Sequence, residues 1–208
     1  MRSEEEVDAI LLASGFSKRF GPANKLLVPF RGKALARHTL DLVCTLGWFR
    51  RIFFVAADAQ VQALAEGLPL RLIQNEHPEQ GQRESIRRGL SASHGRYYLF
   101  FPCDQPLLDA DTVRSVLDLR RPGCIVQPAF KGTPGTPVLF SAAFREELLA
   151  LGPGEHPRDI KHRHPEAVLT AALKDGLALK DIDDPRMLKL LMDSSIPTDA
   201  LKRPNTRG

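Results

Sequence analysis

Apolar residues arrive in short unbroken runs, and between the runs they recur at helical spacing. Val7–Ala13 is the first run, closed by Ser14 and Gly15, and its lack of alternation predicts a strand buried on both faces. A long loop follows. The spacing over Ala34–Leu46 predicts a helix, Arg51–Ala57 a second buried strand, and Gln60–Glu66 a helix stopped by Gly67. Leu70–Ile73 reads as a third strand, a helix is expected at about Arg83–Leu90, and Tyr97–Phe101 is a fourth strand closed by Pro102 and Cys103. Strands alternating with helices imply an α/β domain on a mostly parallel central sheet with right-handed crossovers. In such sheets, chemistry gathers in the loops at the carboxyl ends of the strands.

The second half is more broken. Strands are expected near Cys124–Gln127, Thr136–Phe140, Ala167–Ala171 and Ala178–Ile182, with a helix at Ala143–Leu149 and a Gly/Pro-rich connection over Gly152–Pro157. A last helix, Pro185–Met192, opens on proline, and Asp184 before it reads as its cap. Beyond it the chain is polar, apolar-poor and punctuated by proline. The pattern therefore predicts one domain, residues 1–193, followed by a disordered tail, 194–208.

Composition changes this picture little. The chain of 208 residues is 43% hydrophobic and 26% charged, ordinary for a globular domain large enough to build its own core. No run of eighteen apolar residues occurs, and the start is acidic where a signal peptide would be basic, so a cytoplasmic protein without a membrane partner is expected. Cys44, Cys103 and Cys124 are too far apart for a metal knuckle and read as reduced core thiols; His156, His162 and His164 match no ligand spacing and read as surface histidines. The net charge of +4 becomes informative once located. Six Lys and Arg and no acidic residue lie between Ala9 and Leu40, leaving 23 basic against 25 acidic residues elsewhere, which argues for a local anion site and against a nucleic-acid-binding surface.

That basic stretch contains the loop after the first strand. Gly15 and its small neighbours allow backbone N–H groups close to an anion, and Lys18, Arg19 and Lys25 supply the charge that a polyphosphate needs. Lys18 can equally be a solvated side chain. The spacing is neither a Walker loop nor GxGxxG, because five residues separate Gly15 from Gly21 and Lys25 has no Ser or Thr beside it. Asp104, aimed by the strand before it, and Asp183, at the end of the last expected strand, are the candidate metal carboxylates. Magnesium takes only one or two such groups, its remaining positions being phosphate oxygens and water. A DxD pair that would favour a glycosyltransferase is missing at Cys103, Asp104 and Gln105.

The set Leu12, Ala13, Gly15, Ser17, Arg19, Gly21 and Lys25 resembles the signature of the nucleotidyltransferases that make molybdopterin dinucleotide cofactors, and Asn24 to Leu27 resembles their cytidylyltransferase branch. Four further segments agree in order: Asn75 with Gly81, Gln82, Ser85 and Gly89; Asp104, Gln105 and Pro106; Gly135 with Pro137, Val138 and Leu139; and Asp181 with Asp183 and Pro185. The resemblance implies a three-layer Rossmann-like nucleotidyltransferase fold of GT-A-like type. It also implies transfer of CMP from CTP, with Mg2+, to the phosphate of molybdopterin, releasing pyrophosphate. On that likeness Arg19 and Lys25 hold the β- and γ-phosphates. Leu12, Ala13 and Ser14 face the base, Gln82 and Ser85 contact the nucleotide or ribose, and Asp104 and Asp183 hold the metal. A helix cap remains the alternative for Ser85. Ser14 narrows the space for a purine, which favours CTP; transfer from GTP is the neighbouring alternative. A molybdoenzyme or its maturation chaperone is the protein partner implied, and a noncatalytic protein delivering nucleotide or molybdopterin is the alternative from another class. The family's G-D-x-G-A-R run is altered here to Gly152–Arg158, with Glu155 and Arg158 as the residues to replace its acid and base.

Overall fold

The computed structural model describes residues 6–13 and 24–192. In chain order these form β1 (Val7–Ala13), β2 (Pro29–Phe30), β3 (Lys33–Ala34), α1 (Leu35–Leu46), β4 (Arg51–Ala56), α2 (Ala59–Ala63), β5 (Arg71–Gln74), α3 (Gln82–Ala92), β6 (Tyr97–Pro102), α4 (Ala110–Asp118), β7 (Ile125–Phe130), β8 (Thr133–Pro134), β9 (Val138–Ser141), α5 (Arg145–Leu149), α6 (Pro157–Arg163), β10 (Val168–Ala172) and α7 (Pro185–Met192). The main sheet runs β10-β7-β9-β6-β1-β4-β5, with β8 attached to β7. Every neighbouring pair along that path is parallel except those made by β9, which runs against both β6 and β7. After β1 the chain steps outward to β4 and β5 and then returns to place β6 on the other side of β1. The strand order therefore reverses between β1 and β6, the position where open α/β sheets open a crevice.

Both faces are covered, which is why the strands are apolar throughout. Val7, Ala9, Leu11 and Ala13 pack with α1 and α4 through Ala36, Leu40, Val43, Val113 and Val116. Ile10 turns to the opposite face with Phe53, Val55, Phe100 and Phe140, under Ile86 and Leu90 of α3 and Leu148 of α5. The result is the expected three-layer α/β arrangement. Helix ends follow local chemistry: Gly47 takes the left-handed conformation after α1 (φ 64°), and the Asp109 side chain caps α4 by accepting from Thr112 N at 2.8 Å.

Gly89 lets α3 lie directly on β1. A Cβ there would sit 2.6 Å from Ile10 Cγ2. Gly89→Ala is expected to destabilise the fold by about 1–3 kcal/mol through overpacking, read as a lower midpoint in urea with an unchanged slope.

Three expectations are corrected. Ala178–Ile182 is not a strand: Leu177–Leu179 forms a 3-10 turn and the chain then runs extended outside the sheet. Its apolar residues are buried by a separate small cluster, where Ile182 packs with Phe30, Leu35 and Leu191. The Gly/Pro-rich connection is followed at once by α6, which Pro157 begins and whose N-terminus Asp159 secures by accepting from His156 N at 2.7 Å. The helix expected over Gln60–Glu66 is the shorter α2, capped by Asp58. The expected tail, 194–208, lies outside the described residues.

Candidate active site at the carboxyl edge of β1 and β6

Lys25 is placed by a short turn. The Asn24 side chain accepts from Leu26 N at 3.1 Å and starts the 3-10 turn Lys25–Leu27, while Leu26 is buried against the core beside it. The turn thus anchors its apolar residue and directs Lys25 to the crevice. There the Lys25 ammonium donates to Asp104 Oδ2 at 2.6 Å and to Asp183 Oδ1 at 3.3 Å. Burial of Lys25 acts to lower its pKa, but the two carboxylates outweigh it and the net direction is upward, so the group is a full cation at neutral pH.

Asp104 and Asp183 are brought together by their backbones. Ile182 N donates to Asp104 O at 2.9 Å, and the Gln105 Nε2 amide donates to Asp181 Oδ1 at 2.8 Å. Asp184 is spent elsewhere: its side chain accepts from Met187 N at 2.8 Å and caps α7. The capping role and the site role therefore fall on adjacent aspartates. Thr39 Oγ1 of α1 donates to Gln105 O at 3.3 Å, tying the turn after β6 to the core.

One atom tests whether a divalent cation suits this arrangement. Asp104 Oδ1 is buried and lacks a hydrogen-bond partner among the described residues, although such atoms are nearly always satisfied. No group of three or more His, Cys, Asp or Glu able to hold a metal occurs among the described residues, so a cation here would use the two aspartates and take its other ligands from phosphate and water. The residues present fit a divalent cation in that mode.

The other expected residues fall as follows. Leu12 and Ala13 end β1 at this edge. Gln82 is the exposed first residue of α3, about two turns nearer the crevice than the Gly89 contact with Ile10. Ser85 is fully buried, and its hydroxyl accepts from Asn75 Nδ2 at 3.0 Å while Asn75 Oδ1 accepts from His77 N at 3.0 Å. That pair fixes the loop between β5 and α3. Ser14, Gly15, Lys18 and Arg19 lie outside the described residues. Cys103 is a packed core thiol, and burial pushes its pKa far up, with the Asp104 charge adding to the shift. Glu155 accepts from Gly152 N at 2.7 Å and from Arg163 at 3.1 Å, so its carboxylate organises the turn before α6; Arg158 is exposed. Sequence reasoning assigned no role to Gln105 or Asp181, though both stand inside segments it had marked.

A family model described as the MobA-like NTP transferase domain matches residues 9–168. The chain belongs to the MobA-like NTP transferase family. It is an enzyme of the nucleotidyltransferase class, and Asp183 lies beyond the matched region. Among its relatives, a nicotine blue oxidoreductase of Paenarthrobacter nicotinovorans is 29% identical over 158 residues, 72% of this chain and 78% of that one. A molybdenum cofactor guanylyltransferase of Shewanella baltica is 26% identical over 191 residues, 89% and 95% of the two chains. Solved structures agree on the fold. A nucleotidyl transferase from Methanothermobacter superposes with a TM-score of 0.80 at 19% identity, over 90% of this chain and 96% of that one. A Mycobacterium tuberculosis protein crystallised with manganese gives 0.76 at 23% identity, over 91% and 99%. No helix among the described residues of this MobA-like chain is long and apolar enough to cross a membrane.

Proposed function

We propose that this MobA-like protein, acting as one NTP-transferase domain over residues 1–193 in the cytoplasm, transfers CMP from CTP to the terminal phosphate of molybdopterin. The observation that carries the reading is the Lys25, Asp104 and Asp183 cluster at the reversal point between β1 and β6, with one oxygen of Asp104 buried and unpartnered. Relatives named for guanylyl transfer to the same cofactor support the acceptor. The Ser14 side chain, where guanylyl-transferring relatives carry glycine, supports the pyrimidine.

In this reading an acceptor phosphate oxygen attacks the α-phosphorus of CTP, the bond to the β-phosphate oxygen breaks, and pyrophosphate leaves. Arg19 and Lys25 neutralise the departing phosphates, and the backbone at Leu12, Ala13, Ser14 and Gly15 presents donors and acceptors to base and phosphate. Gln82 stands at the ribose side, and Ser85 holds that helix end through Asn75. Asp104 and Asp183 would hold Mg2+, which supplies charge neutralisation on the triphosphate when bound. No side chain forms a bond to substrate, so the protein's part is positioning and electrostatics. A molybdoenzyme or its maturation chaperone is the proposed recipient of the product.

Nucleotide choice is tested by melting. With magnesium and CTP at about 100 times its Kd, a stabilisation of about 2.7 kcal/mol raises Tm by roughly 5–10 °C. GTP is expected to give a clearly smaller shift, and mass spectrometry of the product with molybdopterin should show the cytosine dinucleotide. An equal or larger response to GTP would reassign the enzyme to guanylyl transfer.

A further inference from the structure

Asp183 stands on a stretch that the sheet does not hold. After the turn Leu177–Leu179 the chain runs extended outside the sheet, and the Asp183 side chain is 40% exposed against 19% for Asp104, so burial does not fix its carboxylate. Contacts on several sides tie the stretch down instead. Ile182 is buried with Phe30, Leu35 and Leu191, and its N–H donates to Asp104 O at 2.9 Å. Leu179 lies so close to Gly135 that a Cβ there would meet Leu179 Cδ1 at 2.8 Å.

Gln105 adds a contact from within. It is 1% exposed, and its Nε2 amide donates to Asp181 Oδ1 at 2.8 Å and to Leu179 O at 3.4 Å. Two acceptors on one side lock the amide, because turned over it would set its oxygen against a carboxylate and a carbonyl. The lock leaves Gln105 Oε1 buried without a hydrogen-bond partner among the described residues. Packing alone does not explain that cost, since a leucine would fill much the same volume and orphan no atom of its own. A lysine or arginine would grip Asp181 harder, but it would put a second cation beside Lys25 and oppose a metal ion at Asp104 and Asp183. The neutral amide holds the stretch and leaves the charge of the two aspartates to the site. Asp181 belongs to no group of three or more His, Cys, Asp or Glu able to hold a metal among the described residues, so its bond to Gln105 positions rather than ligates.

We infer that Gln105 is a positioning residue for the metal site: through Asp181 it sets where the Asp183 carboxylate stands relative to Asp104. The inference rests on the reading that these two aspartates hold a divalent cation during nucleotidyl transfer. Its consequence is that metal affinity depends on a hydrogen bond between two residues that are not themselves ligands.

The test is a Mn2+ titration of the full chain, followed by loss of the free-ion electron paramagnetic resonance signal, with and without CTP and well below Tm. Gln105→Leu is expected to weaken Mn2+ binding about 10-fold or more, the usual effect of removing a group that orients a metal ligand, while the metal-free protein stays folded. Asp181→Ala, at a half-buried position, should weaken it to a similar extent. Asp181→Asn keeps a side-chain oxygen that accepts from Gln105 and should stay within about threefold of wild type. The double variant Gln105→Leu with Asp181→Ala should bind no more weakly than the worse single variant, because each removes the same bond. Mn2+ affinity of Gln105→Leu within about threefold of wild type, equal losses in Asp181→Ala and Asp181→Asn, or additive losses in the double variant would each overturn the inference. Dinucleotide formation is scored separately. A chain whose Mn2+ affinity follows the expected pattern but that makes no product removes the transferase reading and leaves the positioning role standing; a chain that makes product while Gln105→Leu binds Mn2+ like wild type removes the positioning role alone.

Discussion

Replacing Asp104 with asparagine is expected to lower kcat for nucleotidyl transfer about 10³-fold, a loss of about 4 kcal/mol of transition-state stabilisation. The substitution keeps shape and volume and removes the charge that faces Lys25 at 2.6 Å. Oδ1 of Asp104, buried without a partner among the described residues, is the atom that would bind a divalent cation in the proposed reaction, and an amide is a poor substitute in either orientation. The backbone bond from Ile182 N to Asp104 O survives, so the turn that joins the two halves of the site stays in place. Magnesium-dependent CTP binding should weaken together with kcat, while Tm without ligand moves by only a few degrees. Transfer within tenfold of wild type would remove Asp104 from the metal site.

The second large effect concerns stability and lies at the opposite end of β1. Asp8 is completely buried and accepts from Arg50 Nε at 3.0 Å, Arg50 Nη2 at 2.5 Å, Ser93 Oγ at 2.6 Å, His94 N at 3.1 Å and Gly95 N at 2.9 Å. One carboxylate therefore holds the entry to β4 and the connection from α3 to β6 against the central strand. Gly95 leaves it room: a Cβ there would lie 2.9 Å from Tyr97 O and 3.0 Å from Asp8 Cγ. Asp8→Ala strands the guanidinium and three other donors at once. It is expected to cost about 3–5 kcal/mol, the range for breaking a buried charge pair, and to lower Tm by roughly 10 °C. The activity of the molecules that remain folded should be unchanged, because Asp8 is on the edge of the sheet away from the crevice. A loss under 1 kcal/mol in urea unfolding would show that the network is not structural.

These two aspartates differ in how well they could be read in advance. Asp104 follows a sealed apolar strand and belongs to a recognisable turn, so its place at a carboxyl edge was legible. Asp8 is the one charged residue in the run Val7–Ala13, and that anomaly was its only sequence signal. Its partners lie 42 and 85 to 87 residues away, beyond any local pattern. The expected strand at Ala178–Ile182 failed for a related reason. An apolar run records that residues are buried, and Ile182 is buried, but against Phe30, Leu35 and Leu191 rather than within the sheet.

The sequence by itself determined the alternation of buried strands and helices, the parallel α/β class, the loop charge around Lys25, and the turn that presents Asp104. Those are properties of residue type and short spacing, which periodic burial and backbone preference write locally. The tertiary structure alone decided that Lys25 meets Asp104 and Asp183 across 79 and 158 residues, and that the Gln105 amide holds Asp181. Which loops converge depends on where the crossovers place their strands and on which apolar clusters tie down the segments between them. Here the reversal between β1 and β6 sets the crevice, and the burial of Leu26 and Ile182 on either side of it fixes where Lys25 and Asp183 stand.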